Sequence, residues 1–163
     1  MAGASPVDAV LTTADFVECY RVHYSRVIRA LCLAGADPST AEDLAQEAFA
    51  RALARWSRVC RGANPAGYVY LSAFRILRRQ QGRRSGGSGP EVESAAPGDA
   101  DTALSITVEG VLAAMPPRRR QCAVLCIVLD FSAVEAGRML GLAPGTVRKH
   151  LDVARDELRR ACR

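Results

Sequence analysis

Thr146-Val147-Arg148-Lys149-His150 gathers three nitrogen-bearing side chains and a hydroxyl into little more than one helical turn. Arginine or lysine in that setting can donate to guanine edges, each good bidentate pair being worth roughly 1–3 kcal/mol of discrimination. Arg155 falls on the same side further along, and Asp152 lies within that face, where it either orients an arginine or bounds the contact. A second basic feature precedes it. Between Ala48 and Pro90 there are nine arginines and no acid, whereas Met1 to Glu47 holds seven acids and three basic residues. Arg75, Arg78, Arg79, Arg83 and Arg84 cluster there, with Tyr68 and Tyr70 close before them. Cations that neutralise a backbone beside flat rings that stack on bases are what single-stranded nucleic acid requires. A solvated arginine-rich helix end is the plainer alternative.

Catalysis finds no support. There is no Gly-rich phosphate loop in a strand–helix setting, no H-E-x-x-H, and no nucleophile–base pair. Asp43 and Glu47 lie one turn apart beside Gln46, but catalytic carboxylates need a shielded site, and this trio reads as a docking face. Cys19, Cys32, Cys60, Cys122, Cys126 and Cys162 include no C-x-x-C, and the chain has two histidines, His23 and His150. Reduced thiols acting as small hydrophobes are expected, with no metal and no cofactor. The chain therefore does not read as an enzyme.

The formal charge of +5 and pI near 9.1 favour a polyanionic partner. All of the 22 cations except Lys149 are arginine, whose planar fork grips phosphate in a bidentate way. No basic start leads into an apolar stretch, and no run is long enough to span a membrane. A cytoplasmic protein without membrane contact is expected.

These side chains need helices to position them. Met1–Thr13 reads as a loose tail, with Asp15 and Glu18 forming a capping box for a first helix. Phe16, Tyr20, His23, Val27 and Leu31 recur along it at helical spacing, His23 with its ring at a lobe edge, and Gly35 ends it. Asp37-Pro38 opens a second helix running to about Trp56, with Ala41, Leu44, Ala45, Ala48, Phe49 and Ala52 inward. Asn64-Pro65 opens a third to about Gln80, with Val69, Ser72, Ala73, Ile76 and Leu77 inward. Gly82 to Ala100 is rich in Gly, Ser and Pro and has little to bury, as a flexible linker does. Beyond it, Leu104, Val108, Val111 and Met115 mark a helix stopped by Pro116-Pro117. Arg118 to about Leu129 forms the next, with Val124, Leu125 and Val128 inward. Ser132-x-x-Glu135 caps a short helix that Gly141 ends, and Pro144 opens the last. Short helix, tight turn and longer helix make a helix-turn-helix. The expectation is an all-α chain of two small helical domains, 14–81 and 101–163, joined by a flexible linker at 82–100 and preceded by a tail at 1–13.

Ala41-Glu42-Asp43-Leu44-Ala45-Gln46-Glu47-Ala48-Phe49 resembles the A-E-D-L-V-Q-E-x-F signature of the extracytoplasmic-function sigma factors, in the sigma-70 superfamily. Arg55-Trp56 and Asn64-Pro65-Ala66-Gly67-Tyr68-Val69 are similar to the W…N-P-x-x-Y-V pattern of an actinobacterial branch, the one around SigE. Met115-Pro116-Pro117-Arg118-Arg119-Arg120 resembles the L-P-P-R-Q-R opening of the family's region 4, and Leu140 to Val147 its helix-turn-helix. The resemblance implies a transcription initiation factor that binds RNA polymerase core and directs promoter recognition and melting. It implies that Asp43, Gln46 and Glu47 dock on the clamp helices of the largest subunit. Arg58, Arg61, Asn64, Tyr68, Arg75, Arg78 and Arg79 would hold the melted minus-ten element. Arg118, Arg120, Thr146, Arg148, Lys149, His150 and Arg155 would serve the minus-thirty-five duplex, with the second lobe also packing on the polymerase flap. An anti-sigma factor is a further implied partner, and a free monomer is expected.

Leu71 and Arg75 stand where the family carries Arg and Asn in an R-x-x-x-N arrangement, and Ala143 replaces the capping Ser of the recognition helix. Ala136 and Gly137 replace Ile and Ala, which predicts a weakly packed helix before the turn. Two alternatives stand beside this reading. One is a helix-turn-helix regulator of the response-regulator output type, since Thr146 to Leu151 resembles that family's T-V-K-x-H-L helix. The other is a degenerate sigma-like antagonist that binds polymerase without opening promoters.

Overall fold

The computed structural model describes residues 6–84 and 107–163, with side chains from residue 14 onward. Of the linker expected at 82–100, residues 82–84 continue a helix and the rest lies outside that set, as do Leu104 and residues 1–5 of the expected tail, whose residues 6–13 are helical. Among the described residues every regular element is helical. The architecture is all-α, with a helical lobe on either side of the gap.

In the first lobe, α1 (Pro6–Leu33), α2 (Pro38–Ala54), the one-turn α3 (Trp56–Val59) and α4 (Pro65–Arg84) pack around a common core. The expected α2 stripe is buried throughout, and so are Val69, Ser72, Ala73, Ile76 and Leu77 of α4. Four alanines on the inner face of α2 let its backbone approach α1 and α4 closely, and Phe49 fills the wider end. Phe16 stands edge-on to Phe49 and Trp56, with ring centroids at 6.3 and 5.2 Å. The restart signals behave as local chemistry dictates. Asp37 Oδ1 accepts from Thr40 N at 3.0 Å, and Asn64 Oδ1 from Gly67 N at 2.8 Å.

Three boundaries differ from expectation. Asp15 caps nothing, because α1 begins at Pro6. The segment from Pro6 to Ala14 contains no breaker, and extending a formed helix needs far less than nucleating one. Trp56 belongs to the separate turn α3, where its ring is buried. α4 continues to Arg84, since cations in a last turn suit the negative end of the helix dipole.

The second lobe contains α5 (Val108–Ala114), α6 (Pro117–Ala123), a π-helical turn at Val124–Val128, α7 (Ala133–Leu140) and α8 (Pro144–Ala161). The π-turn corrects one inward assignment. Leu129 N bonds back five residues to Val124 O at 3.0 Å, and the widened turn rotates Val128 to the surface at 45% exposure. Val124 and Leu125 stay fully buried.

α7 is not the marginal helix its sequence predicts. Ser132 and Glu135 complete both halves of the capping box, at 3.2 and 2.8 Å. Ala136, Gly137, Met139 and Leu140 are all buried. Gly137 has a positional reason. A Cβ there would meet Leu142 O at 2.6 Å, so the missing side chain lets the turn fold back onto α7. Leu142 N then donates to Gly137 O at 2.9 Å, and Gly141 takes the left-handed conformation, φ 66° and ψ 37°.

The lobes pack on each other through α4, α1, α6 and α7. Tyr70 meets Phe131 edge-on at 5.5 Å, and Gln121 Nε2 donates to Gln81 Oε1 at 2.6 Å from a buried position. Arg78 Nη1 donates to Leu140 O at 2.9 Å. Arg120 donates from Nε to Leu33 O, and from Nη2 to Cys32 O at 3.2 Å. Arg29 and Glu109 form an exposed ion pair at 3.3 Å, of little energetic weight in solvent.

Gly137→Ala is expected to destabilise the second lobe by about 1–3 kcal/mol, because the obstructing atom is backbone. Thermal unfolding by circular dichroism measures it, and an unchanged midpoint would show that the turn has slack.

Candidate nucleic-acid interface

The amphipathic pattern of α8 decides which residues can reach a ligand. Val147, Leu151 and Ala154 are buried against the lobe, which leaves Thr146, Arg148, Lys149 and Arg155 exposed on the outer face. His150 sits half-buried at its margin. Ala143 offers no side-chain cap to α8, and Pro144 opens the helix in the first turn. Arg155 lies 3.8 Å from Asp152 in an exposed pair, loose enough to be broken by a phosphate. Arg148 and Lys149 enter no ion pair among the described residues and present their charge to solvent.

Arg118 and Arg120, expected to serve the same duplex, stand elsewhere. Arg118 Nη1 donates to Leu140 O at 3.3 Å, and Arg120 reaches the end of α1 in the other lobe. Burial pushes the Arg120 guanidinium below its ordinary value, yet an arginine stays charged across the useful pH range. The intervening Arg119 bonds Glu157 of α8 at 2.6 Å and braces the lobe from within.

In the first lobe, Arg58 and Arg61 are exposed around the turn that follows α3, and Asn64 is exposed at the start of α4. Arg75 and Arg79 project outward from α4, whereas Arg78 is held by Leu140 O. The aromatic part of the expected surface divides. Tyr68 is half-buried against the core, and Tyr70 is 5% exposed, closed in by His23 and Phe131. Tyr70 is therefore a packing residue and not a platform for bases. Leu71 packs against the same core.

Asp43, Gln46 and Glu47 share the exposed face of α2. Glu47 pairs with Arg51 one turn on, and Gln46 Nε2 lies 3.5 Å from the Tyr24 hydroxyl, which accepts its hydrogen bond. Tyr24 stacks on Tyr20 with centroids at 4.6 Å. Sequence reasoning missed Tyr24 because its partner lies on another helix.

A cleft of about 660 Å³ opens between the lobes, lined by His23, Arg26, Asn64, Tyr70, Asp130 and Glu135 among others. Burial first, and then the Arg26 charge, lower the His23 pKa, so the imidazole is neutral near pH 7. Glu135 is held below the usual carboxylate range by its bonds to Ser132, so it stays charged and fixed in its cap.

No group of His, Cys, Asp and Glu among the described residues has the makings of a metal site. The cysteines are free thiols there, with Cys122 fully buried and Cys162 exposed. Burial, reinforced by neighbouring Cys126, pushes the Cys122 thiol up to about 12. No helix of the described residues is long and apolar enough to cross a membrane.

Comparison with known proteins adds three findings. Residues 17–84 match the family described as Sigma-70 region 2, and residues 106–158 match Sigma-70, region 4. The chain is 28% identical over 156 residues to the ECF RNA polymerase sigma factor SigE of Mycolicibacterium smegmatis, which covers 87% of this chain and 59% of that protein. The chain thus spans less than two thirds of that relative's length. Its fold is similar to that of the sigma factor RpoE from Bartonella quintana, in a structure with the anti-sigma factor NepR. The TM-score is 0.65 at 22% identity, covering 91% of this chain and 96% of that one.

At pH 7 a maleimide reagent is expected to modify Cys162 rapidly and Cys122 only after unfolding, because the thiolate is the nucleophile. Peptide mass spectrometry reads the order, and early modification of Cys122 would contradict its burial.

Proposed function

The chain belongs to the sigma-70 family, with region 2 and region 4 in the layout of the extracytoplasmic-function factors, and from that premise we propose that it binds RNA polymerase core and directs it to promoters. The observation that carries this is the division of labour between two exposed faces. An acidic-amide face on α2 suits a protein partner, and a basic face on α8 suits a duplex. A helix-turn-helix places the first turns of its second helix in the major groove, which here are Thr146, Arg148 and Lys149. His150 and Arg155 flank them.

Asp43, Gln46 and Glu47 would meet the clamp helices of the largest polymerase subunit. Tyr24 steadies Gln46 from behind, and Glu47 is paired with Arg51. Arg58, Arg61, Asn64, Tyr68, Arg75 and Arg79 would hold the melted minus-ten strand, mainly through its phosphates. Tyr68 offers a half-exposed ring for stacking. Arg78 and Arg120 would join the DNA contacts once the lobes part, and Arg118 once it leaves Leu140 O of its own lobe. The second lobe would also pack on the polymerase flap. The work is recognition and strand separation without catalysis, carried out in the cytoplasm without cofactor. Because the Bartonella factor was crystallised with an anti-sigma factor, a protein antagonist of that kind is a further proposed partner. A lone helix-turn-helix regulator is not favoured, since it would lack a match to region 2.

Core polymerase supplemented with this protein is expected to start transcription at defined sites on a genomic template that core alone ignores. The absence of defined starts would overturn the proposal. Arg148→Ala or Lys149→Ala is expected to cost about 1–3 kcal/mol at the upstream element. Asp43→Ala combined with Gln46→Ala should weaken core binding and leave helicity intact. Unchanged core affinity in a binding titration would move the docking face elsewhere.

A further inference from the structure

We propose that the free protein is held closed by a reciprocal clasp, in which an arginine of each lobe caps a glycine-ended helix of the other. The two halves have the same construction. In the first lobe α1 ends at Leu33, and Gly35 follows with φ 110°. Arg120 of the second lobe lays its guanidinium over that glycine, 3.7 Å from where a Cβ would stand, and donates to Leu33 O and Cys32 O. In the second lobe α7 ends at Leu140, and Gly141 follows with φ 66°. Arg78 of the first lobe lays its guanidinium over that glycine so closely that any Cβ would collide with it, and donates to Leu140 O at 2.9 Å.

Each contact gives a helix-end carbonyl, Leu33 O or Leu140 O, a donor from the other lobe, while Cys32 O is shared with Gly35 N. Each also sets a cation at the negative end of the helix dipole. The glycines serve twice. They take the left-handed conformation that ends the helix, and they clear the space in which a flat guanidinium rests. Arg118 reinforces the second site on the same carbonyl at 3.3 Å. Between the two arginines, Tyr70–Phe131 and Gln81–Gln121 complete the seam. Tyr70, Arg78 and Gln81 fall on one side of α4, so a single helix face meets the second lobe.

The clasp leaves Arg148 and Lys149 exposed but occupies Arg78 on α4 and Arg120 on α6. On the functional reading above, duplex reading is open in the closed form, whereas full engagement of the melted strand requires the lobes to part. A phosphate backbone offers these guanidiniums the same kind of acceptor that the helix ends do, so nucleic acid would compete directly for the clasp.

The test uses the full chain without polymerase or DNA, so its result stands apart from that of the transcription assay. Fluorophores are introduced through non-natural residues at Leu53 and Val153, which are 53% and 43% exposed, one on each lobe. Single-molecule energy transfer on the wild type is expected to give one narrow population. Arg78→Met and Arg120→Met should each raise the open-to-closed ratio on the order of tenfold, as loss of a charged hydrogen bond implies. Both together should give a broad population of lower transfer, with helicity retained by circular dichroism. A wild type that is already broad would overturn the clasp, and that result does not depend on any variant folding. A double variant that folds and keeps the wild-type distribution would overturn it equally.

Discussion

A helix end buried against another domain must find donors for its last carbonyls, or the two surfaces cannot stay together. In this chain that constraint falls on α1 and α7; Arg120 answers the first from the opposite lobe, and Arg78 of the opposite lobe answers the second together with Arg118 of its own. Placing those two guanidiniums sets how α4 lies against α7 and which arginines remain free. It also brings Tyr70 under Phe131 and forms the cleft around His23. The closed surface of Tyr70 follows from that contact.

Within each lobe the forces are ordinary. Alanine-rich inner faces bring α1, α2 and α4 close, and aromatic rings fill the wider end. In the second lobe a capping box, a left-handed glycine and the missing Cβ of Gly137 hold the turn that aims α8. That aim decides which side of α8 is polar and exposed, and hence which residues can meet a duplex. The chain thus separates rigidity, supplied at the turn, from the exposed polar face of α8, where Arg148 and Lys149 enter no ion pair among the described residues.

The parts legible in the sequence were those governed by neighbours a few residues away. Asp37, Asn64, Ser132 and Gly141 announce their helix boundaries because a cap is a local bond. The inner stripe of α2 and the outer face of α8 follow from helical period alone. Asp15 misled because a good capping residue is equally at home inside a helix that starts earlier. Val128 misled because a π-turn shifts the period by one residue. Gly137 reads as a loss of packing in sequence and proves to be a close approach in space. Arg78 and Arg120 were illegible in another sense. Their carbonyl partners lie 62 and 87 residues away, and an arginine-rich segment looks the same whether it faces solvent, nucleic acid or a helix end.

On the proposed function, one chain grips polymerase with α2 and promoter DNA with α8. Site-specific photo-crosslinking tests it most directly, from exposed positions next to each face, Ala50 on α2 and Val153 on α8. In a complex of core polymerase, promoter DNA and this protein, the probe at Ala50 should capture the largest polymerase subunit. The probe at Val153 should capture DNA upstream of the start site. Adducts from Ala50 that never include polymerase, or from Val153 that never include DNA, would contradict it.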